Sequence, residues 1–232
     1  MIAVENMPPW SLTTEICARA GVDDLSAAVR KLGLLEQSER LELAVKSSGW
    51  YRGGAETYLF DFELRSESGT RRFLLKACVA VGGLRGTAEI VEEWVRRRAF
   101  LEHEGVAVPR SYGVHLSTIL EEFIPLALRE ALVAAEGAPT ARQSLLFELG
   151  RAAGILTRCG FPALQLNDLR SRGTDVVVVD FGEDLGPAGA AGRDHTAILD
   201  QALTLAGESV SLVAGDMRTL DAGFEAGRRA GK

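Results

Sequence analysis

The spacing of the hydrophobic residues changes along the chain, and this change limits which folds are open to it. Between residues 41 and 79 apolar and polar residues alternate with period two, which predicts strands. The alternating segments are 41–45, 57–64 and 72–79. Because residues 66–70 have the composition of a turn, the last two strands are expected to be antiparallel neighbours. Two further short strands are predicted at 106–109 and 117–120.

Helical spacing, with apolar residues every three to four positions, dominates the remainder of the chain. One long helix is predicted from about Thr87 to His103. Beyond Pro125 the pattern is mainly helical, interrupted by a short apolar strand, Asp175–Val179. The predicted helices there are 126–135, 144–157, 194–206 and a weaker one near the C-terminal end. The sequence therefore predicts an α+β fold rather than the βαβ alternation of a doubly wound sheet.

The length of 232 residues is long for one compact domain and short for two. We predict a helical N-terminal extension (1–40), a strand-rich part (41–124) and a mainly helical part (125–232). In the extension, two short helices are predicted to begin at Ser11–Glu15 and at Asp23–Leu25, and the second is predicted to end at Gly33. These helices could cover an active site, bind a partner or pack on the strands.

Composition argues against several classes of function. A hydrophobic fraction of 47% and a charged fraction of 25% are ordinary for a globular protein. The net charge of −6 disfavours a nucleic-acid partner. Three cysteines without CxxC spacing predict neither disulfides nor zinc and favour a reducing cytoplasm. No signal peptide or membrane span is recognised, and the richness in Ala, Gly, Arg and Val suggests a bacterial genome.

A lysine in an apolar strand is the first candidate for an anion-binding group. Lys76 either snorkels at an edge of the sheet or faces a cleft where an anion offsets its desolvation. Glu92 or Glu93, on the helix that follows, could form an ion pair with it, or each could simply face solvent. Upstream, Gly53-Gly54 would let backbone amides approach phosphate oxygens, or would form a plain hairpin turn.

The stretch Asp180-Phe181-Gly182 is the sharpest local motif. A buried strand delivers the aspartate to its end, and the glycine frees the backbone that follows. That arrangement suits a metal-bridging carboxylate, although an ordinary strand–turn aspartate is the alternative. Asn167 lies 13 residues before Asp180 and would supply a second oxygen ligand.

In order and spacing these motifs resemble the kinase-like superfamily, closest in style to aminoglycoside/choline phosphotransferases and minimal bacterial protein kinases. Three other segments fit the pattern, namely Glu104–Arg110, Ile119–Pro125 and Leu149–Leu156. The resemblance covers roughly residues 40–206. It implies a two-lobed fold, with an antiparallel N-lobe containing one long helix, a reduced helical C-lobe, and ATP bound between the lobes.

The resemblance also implies roles for individual residues. Lys76, paired with Glu93 or Glu92, would hold the phosphates beneath the Gly53-Gly54 loop. The implied adenine-facing backbone is that of Glu121, Glu122 and Phe123, and the implied Mg²⁺ ligands are Asn167 and Asp180. Asp194 would brace the catalytic loop, or would only cap a helix.

One departure from the family weakens this reading. The families carry an aspartate in a His-Gly-Asp or His-Arg-Asp loop, where this chain has Pro162 or Gln165, depending on the alignment. Neither side chain can abstract a proton. Asp168, the one acid in the loop, could act as the acceptor or as a metal ligand, or could cap a turn. Phosphoryl transfer depends mainly on positioning and charge stabilisation, so a missing base does not exclude catalysis.

Three functions therefore stay open. The first is an ATP- and Mg²⁺-dependent kinase acting on a hydroxyl of a protein or peptide, for instance in a bacterial biosynthetic pathway. The second is a pseudokinase that serves as a nucleotide-binding scaffold or as the activator of a partner enzyme. The third is a small-molecule (antibiotic) kinase, which is disfavoured because no substrate-binding insertion follows Pro125 or Asp194.

Overall fold

The computed structural model describes residues 9–34, 42–49, 57–66, 69–78, 87–116, 118–161, 169–179 and 197–230. Within it the chain forms two compact units. The first unit is Met1–Glu93 with Arg110–Phe123, and the second unit is Trp94–Pro109 with Ile124–Lys232. The three-part division into 1–40, 41–124 and 125–232 stays a prediction. The mixed α+β class with an antiparallel sheet is confirmed.

The first unit contains a five-stranded antiparallel sheet in the order β1-β2-β3-β5-β4. Its strands are β1 (Glu42–Gly49), β2 (Thr57–Ser66), β3 (Gly69–Cys78), β4 (Ser111–His115) and β5 (Thr118–Glu122). Strands β2 and β3 form a hairpin that pairs without a break from Thr57↔Cys78 to Ser66↔Gly69. The period-two alternation therefore located this hairpin correctly.

Strand β4 does not lie where the sequence predicts it. It occupies 111–115, whereas the predicted strand 106–109 forms only an isolated bridge between Ala107 and Val177. Val106 and Val108 are buried, which explains the strand-like pattern. Pro109 has no N–H to donate, however, so a ladder cannot run through this segment.

Two short helices, α1 (Pro9–Ala20) and α2 (Leu25–Lys31), pack on one face of the sheet. Asp24 caps α2 by accepting a 2.7 Å hydrogen bond from the N–H of Ala27, and Gly33 follows the helix at φ +68°. Helix α1 begins at Pro9, earlier than predicted, because proline is tolerated in the first helical turn. Their apolar residues Ile16, Cys17, Ala20, Ala28, Val29 and Leu34 join Leu64, Phe73, Leu75 and Leu120 of the sheet in one core.

The second unit is mainly helical. Helix α3 (Thr87–His103) enters it from the first unit and is followed by α4 (Leu128–Ala134), α5 (Pro139–Arg158), α6 (Ala197–Ser209) and α7 (Ala214–Arg229). A small antiparallel sheet in the order β6-β7-β8 accompanies them, made of β6 (Leu126–Ala127), β7 (Leu169–Arg172) and β8 (Asp175–Val178). No helix in the described parts of the chain is long and apolar enough to span a membrane.

Helices α5 and α7 approach each other so closely that glycine is required on both. A Cβ built on any of four glycines would overlap a main-chain carbonyl of the facing helix. Gly150 faces the carbonyl of Leu220, Gly154 that of Phe224, Gly223 that of Phe147 and Gly227 that of Arg151. Residues four apart share a helix face, so each helix presents a flat strip of backbone to the other. Weak Cα–H···O contacts favour this arrangement.

We therefore expect Gly154→Ala to lower the free energy of unfolding by about 2–3 kcal/mol, because the added methyl forces the two backbones apart. Gly207→Ala is the matched control, since Gly207 lies exposed in α6 and its Cβ would meet nothing nearer than Leu212 Cδ1 at 3.8 Å. That change should stabilise the protein by about 0.4–1 kcal/mol. Urea unfolding followed by circular dichroism measures both, and equal effects would contradict the close packing.

The N-terminus of α7 is held by a buried ion pair. Asp216 accepts a 3.0 Å hydrogen bond from the N–H of Val213 and a second bond from the Arg142 guanidinium, which also donates to Ser211 O at 2.6 Å. Burial on its own would raise the pKa of Asp216, but these hydrogen bonds and the charge of Arg142 outweigh it. The pKa of Asp216 therefore lies below its ordinary value.

Because the pKa of Asp216 is lowered in the folded state, the contribution of Asp216 to the free energy of unfolding is sensitive to acid. The stabilisation is complete above the unfolded pKa of about 4 and is lost as the pH falls through the lower folded value. We expect Asp216→Asn to cost about 1–3 kcal/mol at neutral pH. The difference from the wild type should shrink as the pH falls below the unfolded pKa of about 4. Urea unfolding of both proteins across this range measures it, and a difference independent of pH would contradict the assignment.

Candidate functional site

The best-defined charged site of the first unit joins β3 to β5. In the β3–β5 ladder Lys76 lies opposite Ile119, and Leu74 lies opposite Glu121. Lys76 and Glu121 are therefore diagonal neighbours on the same face of the sheet, within reach of long side chains. The Lys76 Nζ and Glu121 Oε1 atoms are 2.8 Å apart.

This ion pair is almost completely removed from solvent, with 8% of the Lys76 side chain and 1% of the Glu121 side chain exposed. Removing a single charge from water costs several kcal/mol, and the attraction between the two groups offsets part of this cost. Leu75 and Leu120, the intervening residues on the same two strands, point into the apolar core beneath α1 and α2. The two helices of the N-terminal extension thus pack on the sheet face opposite Lys76.

A second acid and base lie on the same face as Lys76. Glu63 and Arg72 are directly paired across β2 and β3, with Arg72 Nε 3.9 Å from Glu63 Oε1. The Arg72 guanidinium also stacks on Phe123, its carbon 3.9 Å from the ring centroid. Because Glu63 is 8% exposed, the face carries two buried carboxylates, each beside a cation. We call Glu63, Arg72, Lys76 and Glu121 the charged face.

The backbone of Glu121–Phe123 is already engaged within the first unit. Glu121 is paired with Leu74 on β3 and with Ser111 on β4. The N–H of Glu122 donates to Arg110 O at 2.8 Å, and the N–H of Phe123 donates to Arg72 O at 3.4 Å. An adenine ring at this segment would therefore have to use carbonyl oxygens at these two residues rather than their N–H groups.

Of the two acids predicted as partners of Lys76, Glu92 is exposed on α3 and Glu93 is half-buried there. Pairing of Lys76 with either helix acid stays a prediction, whereas its contact with Glu121 is observed. Nothing in the residue pattern singles out the side chain of Glu121 as the partner of Lys76. Glu121 lies two residues beyond Ile119, which is paired with Lys76 across β3 and β5. This register follows from the pairing of the two strands and cannot be read from the sequence.

The hairpin β7–β8 adjoins the predicted metal ligands in sequence. It pairs Leu169 with Val178 and Arg172 with Asp175, so the chain enters β7 and leaves β8 at the same end. Val176, Val177 and Val178 are buried, which confirms the apolar strand predicted before Asp180. Six predicted site residues lie outside the described residues, namely Gly53, Gly54, Asn167, Asp168, Asp180 and Asp194.

Neither of the two described free thiols is set up as a nucleophile. Burial, together with the nearby Glu104 carboxylate, raises the pKa of Cys159 to about 11 despite the neighbouring Arg158. Burial, and then Asp24 and Asp23, raise the pKa of Cys17 as well. Both thiols are therefore protonated at neutral pH and unreactive. Among the described residues no three His, Cys, Asp or Glu side chains are grouped closely enough to hold a metal ion.

Comparison with models of known protein families and with curated proteins finds no match to this chain.

The Lys76–Glu121 pair makes a prediction about stability. Lys76→Met or Glu121→Leu alone should each cost about 3–5 kcal/mol, because the remaining charge is left buried without this partner. The double variant Lys76→Met/Glu121→Leu should cost less than either single change, since apolar pairs of similar volume are tolerated there. Urea unfolding of the four proteins measures the coupling. Additive costs would show that the two side chains do not depend on each other.

Proposed function

We propose that this protein is an ATP- and Mg²⁺-dependent phosphotransferase with a two-lobed, kinase-like fold. The observation that carries the proposal is the burial of Lys76 on β3, the central strand of the five-stranded sheet. A lysine that snorkels keeps its ammonium group in water, whereas the Lys76 side chain is 8% exposed. A buried ammonium on a rigid strand is suited to holding the anionic phosphates of a nucleotide.

The order of elements supports the same proposal. An antiparallel hairpin carrying Lys76 is followed by one long helix and then by two further strands of the same sheet, as the kinase resemblance implies for an N-lobe. In the second unit the chain enters β7 directly after Asp168 and leaves β8 two residues before Asp180. On this proposal Asn167 and Asp180 hold Mg²⁺, and Asp168 is the acid available to the acceptor hydroxyl.

The acceptor on this proposal is a hydroxyl of a protein or peptide, because the sequence has no substrate-binding insertion after Pro125. A second candidate is a nucleotide-binding pseudokinase that activates or scaffolds a partner enzyme. The specific observation that favours it is the missing loop aspartate, since the chain has Pro162 or Gln165 at that position, depending on the alignment. Both candidates require nucleotide binding through Lys76, and ATP turnover separates them.

Mg²⁺-ATP should raise the unfolding temperature of the wild type. A ligand at 100 times its Kd stabilises the folded state by about 2.7 kcal/mol, which a thermal shift measurement detects easily. Lys76→Ala should lose most of this shift, since the phosphates then lack their cation. Each shift is taken relative to the same variant without nucleotide, so a change in intrinsic stability does not affect the comparison.

Lys31→Ala is the matched control, because Lys31 is an exposed lysine in the last turn of α2. It should keep the full Mg²⁺-ATP shift. The wild type without Mg²⁺ should show a smaller shift than with it, and a wild type that does not respond to Mg²⁺-ATP would overturn the proposed function. ATP hydrolysis or phosphate transfer to a peptide supports the enzyme, whereas binding without turnover supports the pseudokinase.

A further inference from the structure

The ion pair between Lys76 and Glu121 restricts the lysine to one part of the charged face. A free lysine side chain has four rotatable bonds and loses up to about 2 kcal/mol of rotamer entropy when it is held in one place. Here the ammonium is held 2.8 Å from a carboxylate that is itself 1% exposed. The entropy is therefore lost when the protein folds rather than when a ligand arrives.

The carboxylate is itself fixed by the sheet. Glu121 lies in β5 between two hydrogen-bonded neighbours, with Leu74 on one side and Ser111 on the other. Leu120, the preceding residue, is fully buried in the core beneath α1 and α2. A slip of one residue would turn Leu120 to the charged face and Glu121 into the apolar core, so the register is strongly specified.

The lysine reaches Glu121 through its ammonium group, whose Nζ atom lies 2.8 Å from Glu121 Oε1. Phosphate oxygens that approach Lys76 would therefore meet an ammonium whose position Glu121 has already set. Without Glu121 the ammonium would lose the carboxylate that orients it, and the phosphates would have to order the lysine side chain when they bind.

We propose that Glu121 is a positioning residue for Lys76, so that the acid orienting the phosphate-binding lysine is supplied by strand β5. This inference rests on the proposed function, since it assumes that Lys76 binds the phosphates of a nucleotide. It differs from the sequence expectation, which assigned Glu121 an adenine-facing backbone and placed the orienting acid on α3. The side chain of Glu121, not its backbone, carries the role.

The test measures the affinity for Mg²⁺-ATP by isothermal titration calorimetry, well below the unfolding transition of every variant. Glu121→Gln should weaken binding about tenfold or more, which corresponds to 1.4 kcal/mol. Glu121→Asp keeps the charge on a shorter side chain and should bind between the wild type and Glu121→Gln. Lys76→Ala/Glu121→Gln should bind no more weakly than Lys76→Ala alone, because Glu121 acts through the lysine.

Asp216→Asn is the control for lost stability. It also disrupts a buried ion pair, with Arg142 and Asp216 side chains 14% and 8% exposed, but this pair belongs to the second unit. It should destabilise the protein and leave the affinity for Mg²⁺-ATP unchanged. A loss of affinity in Asp216→Asn equal to that in Glu121→Gln would assign the effect to stability and overturn the inference.

The outcomes separate the inference from the proposed function. If the wild type binds Mg²⁺-ATP, Lys76→Ala weakens binding and Glu121→Gln binds like the wild type, Glu121 only ties the strands together and the inference is wrong. If the wild type does not bind Mg²⁺-ATP, the proposed function fails and the inference fails with it. If Glu121→Gln does not fold, Glu121→Asp decides, and wild-type affinity in that variant overturns the inference.

Discussion

Strand β3 has to satisfy two environments at once, because its successive side chains point to opposite faces of the sheet. Phe73 and Leu75 enter the apolar core beneath α1 and α2, while Arg72 and Lys76 lie on the charged face. Neither requirement can be met without the other, since a shift of one residue would bury the cations in the core. The burial of the apolar side chains, at about 1.5–3 kcal/mol each, thereby holds the ionic groups in place.

The alternation of side chains between the two faces of the sheet also determines how much of this architecture could be predicted from the sequence. Period two located β2 and β3, and helical periodicity located α3 and α5, because burial on one face dictates those residues directly. The period-two pattern predicted a strand wrongly at 106–109, because Val106 and Val108 are both buried while Pro109 prevents a strand ladder there. It could not find the partner of Lys76, since Glu121 reaches the lysine only through the register of a strand more than 40 residues away.

The charged face also changes how Lys76 is interpreted. From the sequence alone, snorkelling at a sheet edge is the favoured interpretation of a lysine between apolar residues. With 8% of its side chain exposed, Lys76 does not snorkel. Among the described side chains, Glu63 and Glu121 lie on this face beside Arg72 and Lys76, so each of these two carboxylates has a cationic neighbour.

The glycine contact between α5 and α7 has a consequence for how this sequence can change over generations. When a core side chain becomes too large, a smaller neighbour elsewhere can restore the fit. At Gly150, Gly154, Gly223 and Gly227 the facing group is a carbonyl of the main chain, which every amino acid carries. No second-site suppressor can shorten it. The four positions should therefore accept no side chain in any lineage that keeps these two helices in contact, and a homologue with alanine at one of them must pack α7 differently.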